Sequence, residues 1–268
     1  MGFKLIFSAV FLMLLSCQKG ETKTQKTKEV TIFAAASTGP ALQEIAVYLK
    51  NHEQIRLRIH VAASSILAQQ IRYGAPCDLV LLADPVWMKE LSDQKKIIPN
   101  SEIILLSNRL VIISPLRETF QLHAENLNTL PHKFQGRFVV GDPEHVPVGR
   151  YAKAALSAMK VWQPLISRFL YASDARAALL WVEQGEAGAG MIYRSDAITS
   201  KKVHIATLVP EALHPPIHYP MAMCKSSERN EVKYVRDFLT KAPGQNIFKR
   251  HGFQPSAVSK IEKIPPPS

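Results

Sequence analysis

Short apolar runs and helically spaced apolar stripes alternate along the chain, and each predicts an element. Val30-Thr-Ile-Phe-Ala-Ala-Ala fits a strand buried on both faces. Behind it Leu42, Ile45, Ala46 and Leu49 fall at i, i+3, i+4 and i+7, one stripe of a helix. Ile55 to Val61 alternates as a strand does, Ser64-Ser65 opens a second helix, and Gly74 closes it. Asp78-Leu-Val-Leu-Leu-Ala predicts another buried strand, followed by a helix through Trp87, Met88 and Leu91. Leu110 to Ser114, Arg137 to Gly141, Gly190 to Tyr193 and Ile217 to Met223 predict further strands. Between them lie a helix from about Gly149 to Lys160 and another through Ala175, Ala178, Leu179 and Val182, capped near Gly185. Pro215-Pro216 breaks the chain before the last long strand, and the final helices carry Val232, Val235, Leu239, Ile247 and Phe248. The alternation predicts an α/β fold with largely parallel sheets.

Composition narrows the class. A chain of 268 residues, 47% hydrophobic and 21% charged, is too apolar for disorder and fits one large domain or two lobes. It carries no repeat of solenoid type. A net charge of +11 points to an anionic partner: nucleic acid, a membrane surface or a small anion. The first residues favour the last two. Lys4 precedes the apolar run Leu5 to Ser16, which has signal-peptide length, and Leu14-Leu15-Ser16-Cys17 resembles a bacterial lipobox. That resemblance implies cleavage of residues 1–16, a lipid on Cys17 and export from the cytoplasm. Residues 17–28 are Lys/Thr-rich and read as a tether, and residues 256–268 read as a disordered tail.

Four strand-to-helix turns share one design of small residues: Ala36-Ser37-Thr38, Ala63-Ser64-Ser65, Val146-Pro147-Val148-Gly149 and Ser173-Asp174-Ala175. A helix N-terminus has unpaired N–H groups and a partial positive charge, so each turn can seat an anion. One such turn alone is an ordinary helix cap; four together, with no Gly-rich phosphate loop, point to a small oxyanion. Other chemistry is weakly represented. Glu144-His145 has no nucleophile beside it in the chain, and no G-x-S-x-G elbow supports a hydrolase. The nine His form no metal-ligand spacing. Asp174 and Arg176 read as a helix cap and a neighbouring base. Three Cys are too few for a disulfide framework, and Cys77 and Cys224 sit in no redox spacing, so their pairing is left open with the unpaired state favoured. No enzyme activity, cofactor, resident metal or nucleic-acid partner is expected.

The motifs taken in order resemble the molybdate-binding proteins of ABC importers. They are Ala34-Ala35-Ala36-Ser37, Ser64-Ser65-x-Leu-Ala-x-Gln-Ile71, Gly74-Ala-Pro-Cys-Asp-Leu79, Ala83-Asp84 with Trp87-Met88, and Gly141-Asp-Pro-Glu-His-Val-Pro147. Tyr151-Ala-Lys153, Asp174-x-Arg176, Ile192-Tyr193-x-Ser195-Asp196-Ala197, Tyr219-Pro220 and Ile247-Phe-Lys-Arg-x-Gly-Phe253 continue the series. The resemblance implies a type II periplasmic-binding-protein fold, with two α/β lobes joined by a two-crossover hinge. Lobe one would be 29–106 plus 217–255 and lobe two 107–216, with crossovers near Ser107-Asn108 and Pro215-Pro216. It further implies that Ser37 and Ser64 donate hydroxyl and amide hydrogens, Val148 and Ala175 donate amides, and Tyr193 donates its hydroxyl. The implied ligand is molybdate, or tungstate or another tetrahedral dianion. The implied partners are an ABC permease with its ATPase and, through Cys17, the membrane, for a monomeric binding protein.

Overall fold

The computed structural model describes residues 28–225 and 227–255. The signal segment, Cys17, the tether up to residue 27 and the tail 256–268 lie outside the described residues. Lys28, expected in the tether, is already the first residue of strand β1 (Lys28–Ala35), where it pairs with Ile55.

From β1 the chain runs through a 3₁₀ turn to α1 (Gly39–Glu53), β2 (Ile55–Ala62), α2 (Ser64–Arg72), β3 (Leu79–Leu81), α3 (Pro85–Asp93) and β4 (Ile103–Asn108). It crosses at Arg109 into β5 (Leu110–Pro115), β6 (Phe138–Gly141), α4 (Pro147–Ala158), α5 (Trp162–Leu165), β7 (Phe169–Ala172), α6 (Ala175–Gln184), β8 (Ala189–Tyr193), α7 (Arg194–Ala197) and β9 (Val203–Leu208). A second crossing over residues 209–216 returns it to β10 (Ile217–Met223), α8 (Asn230–Thr240), α9 (Ala242–Arg250) and β11 (Gln254–Pro255).

Two sheets result, ordered β11-β4-β10-β3-β1-β2 and β7-β6-β8-β5-β9. They are mixed, which corrects the expectation of largely parallel sheets. β2, β1 and β3 run parallel, as do β7, β6 and β8. β10 is antiparallel to both β3 and β4, β11 to β4, and β5 to both β8 and β9. The reason is the double crossing. β5 and β10 each enter a sheet from the other one rather than through a helix on its face, so the right-handed βαβ rule does not set their direction.

The apolar runs are buried on both faces, as their lack of alternation requires. Val30, Ile32 and Ala34 of β1 face one core, while Phe33 faces Leu67, Val80, Met88 and Leu91 under α2 and α3. In the second sheet Val111, Ile113, Val139 and Ile192 pack on Leu179 and Val182 of α6. The helix expected from Gly149 starts two residues earlier, because Pro147 fits the first helical position. Gly149 is required there by space: a Cβ would meet the Gly141 carbonyl oxygen at 2.2 Å, so α4 starts almost in contact with the end of β6.

Candidate functional site

All four small-residue turns open onto one cavity between the two sheets, of about 240 Å³ with its open mouth included. Ala35, Ala36, Ser37, Ala62, Ala63, Ser64 and Ala83 line it from the first sheet's side, and Val146, Pro147, Val148, Asp174, Ala175 and Tyr193 from the second. The five residues expected to contact a ligand therefore line a single hollow, as strands that end beside one another place their following turns together. Its lining contains no Lys, Arg or His.

The hydroxyls of Ser37 and Ser64 are each already hydrogen-bonded on the side away from the cavity. Ser64 sits at the first position of α2, behind Ala63, and its Oγ accepts the Ala83 amide at 2.9 Å. Ser37, in the turn after β1, lies 2.9 Å from the Tyr219 hydroxyl. The proton order there follows from Asn108. Its Oδ1 accepts the amides of Arg109 at 2.9 Å and Ser195 at 3.4 Å, which fixes the side-chain amide's orientation. Its Nδ2 then donates to Ser195 Oγ at 2.8 Å and to Tyr219 Oη at 3.2 Å. Tyr219 Oη accepts from Asn108 and has its own hydrogen available for Ser37 Oγ, the order in which every hydrogen of this chain of bonds finds an acceptor. With that order both serines keep their O–H hydrogens for the cavity. Asn108 ends β4 at the first crossing and Ser195 belongs to α7, so this chain of bonds joins the two sheets directly behind the hollow.

The other wall supplies backbone. Val148 occupies the first turn of α4 and Ala175 that of α6, where amides have no carbonyl of their own helix to reach. Asp174 is a helix cap, as read from sequence: its Oδ1 accepts the amides of Arg176 at 2.8 Å and Ala177 at 2.9 Å, which leaves the Ala175 amide uncapped. Arg176 turns away from Asp174 to Thr199 at 2.9 Å and to the buried Asp196 at 3.7 Å. Burial pushes the Asp196 carboxyl up to about 7 despite that cation. Tyr193 ends β8, is 2% exposed, and its hydroxyl has no partner. Burial raises its pKa well above the usual range, so the phenol keeps its hydrogen.

At the rim, Asp84 caps α3 through the Val86 amide at 2.8 Å and pairs with Arg150 of α4, which also lies 5.5 Å over the Trp87 ring. This ion pair spans the two walls. Glu144 reaches only Lys153 on the surface. No group of three or more His, Cys, Asp or Glu able to hold a metal occurs among the described residues. Sequence reading missed the roles of Asn108, Tyr219 and Arg150. Tyr219 carried a signal, standing in the Tyr219-Pro220 motif, but nothing in the chain ties it to Ser37, 182 residues away.

Comparison with known proteins places this geometry. Residues 30–254 match the family model described as bacterial extracellular solute-binding protein. The chain is 39% identical over 229 residues to the molybdate-binding protein ModA of Escherichia coli, covering 84% of this chain and 88% of that one. It is 32% identical over 247 residues to YvgL of Bacillus subtilis, assigned as an ABC transporter substrate-binding lipoprotein, covering 91% and 94%. Among solved structures it superposes, with a TM-score of 0.68 and 33% identity, on a substrate-binding domain from Clostridium difficile assigned to a molybdenum ABC transporter, covering 85% of this chain and 99% of that one.

Proposed function

The chain belongs to the bacterial extracellular solute-binding proteins, with a type II periplasmic-binding fold, and from that premise we propose that it captures molybdate and delivers it to an ABC importer. It is a binding protein and not an enzyme, like the relatives it matches.

One observation carries the choice of ligand: the cavity lining is dominated by hydrogen donors, and its one carboxylate, Asp174, is held as a helix cap by the amides of Arg176 and Ala177. Ser64 Oγ already accepts the Ala83 amide, Ser37 Oγ is bonded to the Tyr219 hydroxyl, the amides of Val148 and Ala175 only donate, and Tyr193 has an unpartnered hydroxyl. A fully deprotonated tetrahedral dianion accepts at every oxygen, so these donors replace its hydration shell without a counter-charge. Each bond to a charged oxygen contributes roughly 1.5–3 kcal/mol. Phosphate near neutral pH carries a proton that the serine, amide and tyrosine donors cannot accept, and Asp174 is committed to capping α6, so phosphate is the poorer match. Sulfate has the same charge as molybdate and is smaller, so only cavity size discriminates against it, while tungstate is nearly isosteric and served by the same donors.

The five residues are the ligand's donors in this reading, and the two sheets are the cores of lobes that close on it, about 29–106 with 217–255 and about 107–216. One chain completes the site, in keeping with a monomer. The partners are the importer's permease and ATPase, and a lipid on Cys17 holds the protein at the membrane. Loss of a metabolically incorporated lipid label in Cys17→Ala tests the anchor, and equal labelling with wild type sinks it.

Calorimetric titration with molybdate, tungstate, sulfate and phosphate tests the ligand. Molybdate and tungstate should bind far more tightly than sulfate, and phosphate should give no heat of binding. In Tyr193→Phe the molybdate dissociation constant should rise about 10- to 150-fold, the loss of one charge-assisted bond. Its ligand-free melting temperature should hold or rise, because a buried unpaired hydroxyl has been removed. Phosphate binding as tight as molybdate, or a Tyr193→Phe variant with wild-type affinity, overturns the reading.

A further inference from the structure

The two cysteines of the described residues, read from sequence with pairing left open, meet in the first lobe. Cys77 stands just before β3 and Cys224 just after β10, and these strands are antiparallel neighbours with Met223 opposite Leu79. The Cys224 amide donates to the Asp78 carbonyl at 2.9 Å, and Ser227 Oγ donates to the Cys77 carbonyl at 3.1 Å, so backbone bonds hold both positions. The two Sγ atoms are 2.7 Å apart. That is closer than unbonded sulfurs rest, and a small movement short of a bond of about 2.05 Å. Both residues are buried among Phe33, Val80, Met88 and Ile97, out of reach of competing thiols.

We propose that Cys77 and Cys224 form a disulfide after export, one that fastens together the two separate chain segments from which the first lobe is built. The bond spans 147 residues of sequence, and the loop it closes contains both crossings and the whole second sheet. Cys77 belongs to the segment before the excursion and Cys224 to the segment after it. The bond stays within one sheet and bridges neither the cavity nor a crossing, so it stabilises the first lobe and leaves the lobes free to move.

The chemistry is thiol–disulfide exchange with an extracytoplasmic protein disulfide as oxidant. The thiolate of one cysteine attacks the donor's disulfide and releases one donor thiol. The second cysteine then displaces the other donor thiol from the mixed disulfide. Two protons and two electrons leave the Cys77–Cys224 pair, and the donor departs as a dithiol. Burial pushes the Cys77 thiol up in the folded protein, so the exchange belongs to folding, before the site closes. The proposal rests on the family's extracellular location and not on the identity of the oxyanion.

The test is peptide mapping of the full chain exported to an oxidising compartment, denatured with an alkylating agent and digested with trypsin without reductant. The fragments Tyr73–Lys89 and Val203–Lys225 should appear joined, and separate on reduction. Recovery of both fragments alkylated and unjoined overturns the proposal. A Cys77→Ala, Cys224→Ala variant makes a second readout. It should melt about 5–15 °C lower than the oxidised protein, and molybdate affinity should stay within about twofold. An oxidised protein that melts no higher than this variant, or a variant that melts as wild type but loses affinity, defeats the assignment of the bond to first-lobe stability.

Discussion

The two walls of the cavity reach the same chemistry by different means. On the first-sheet wall Ser37 and Ser64 add side-chain hydroxyls to their amides, and the hydroxyls depend on groups behind them: Ala83 behind Ser64, and Asn108 and Tyr219 behind Ser37. On the second-sheet wall two of the three donors are main-chain amides aimed by the starts of α4 and α6. A hydroxyl is lost with its side chain, whereas an amide survives any substitution that leaves its helix in place. The first wall should therefore be sensitive to chemistry and the second to backbone position.

The largest effect expected on that view is from Gly149→Ala. The added Cβ would lie 2.2 Å from the Gly141 oxygen and 2.7 Å from the Asp142 carbonyl carbon, both backbone atoms that cannot rotate aside. The start of α4 must shift and carry the Val148 amide with it. Molybdate affinity should fall about 100-fold or more and the ligand-free melt by about 5–10 °C. A variant with unchanged calorimetry and melting would mean that backbone position does not govern the second wall.

Ser37→Ala should cost about 10- to 100-fold in affinity, since one charge-assisted donor is gone. Tyr219→Phe sharpens the comparison. It leaves the Ser37 hydroxyl in place but frees it to rotate and to accept, so molybdate should weaken only about 3- to 10-fold. Discrimination against phosphate should narrow at the same time, because a protonated oxygen then finds an acceptor. Competition titrations read both numbers; unchanged selectivity in Tyr219→Phe would show that the proton order at Ser37 is set elsewhere.

The smallest effect belongs to Val148→Ala. The amide remains, the helix start is unaltered and only part of the apolar wall recedes, so the dissociation constant should move by no more than about threefold. A loss above tenfold would mean that the valine side chain, and not its amide, is what that position contributes.

Much of this was legible in the chain because it is local. Apolar runs without alternation gave β1, β3 and β5, helical spacing gave α1 and α6, and the small residues at four strand ends marked the turns that line the cavity. Elements whose pattern is short or half exposed escaped. β7 and β9 bury only part of their residues, β11 has two, and β4 was used as a boundary without being recognised as a strand. Strand direction also escaped, since a run of Val and Ile reads the same either way along a sheet.

By itself the sequence determined which residues can donate and that their donors sit at helix starts and strand ends, because capping, helical period and residue chemistry act within a few positions. Only the tertiary structure decided which groups stand behind those donors. Tyr219 is brought to Ser37, Arg150 to Asp84 and Cys224 to Cys77 by a chain that leaves the first sheet at Arg109 and returns at Ile217. Hydrogen-bond direction, ion pairing across the cleft and sulfur contact all fall off within a few ångströms. They are set by which distant strands become neighbours, and that is fixed by the packing of two whole sheets and carries no short-range mark in the sequence.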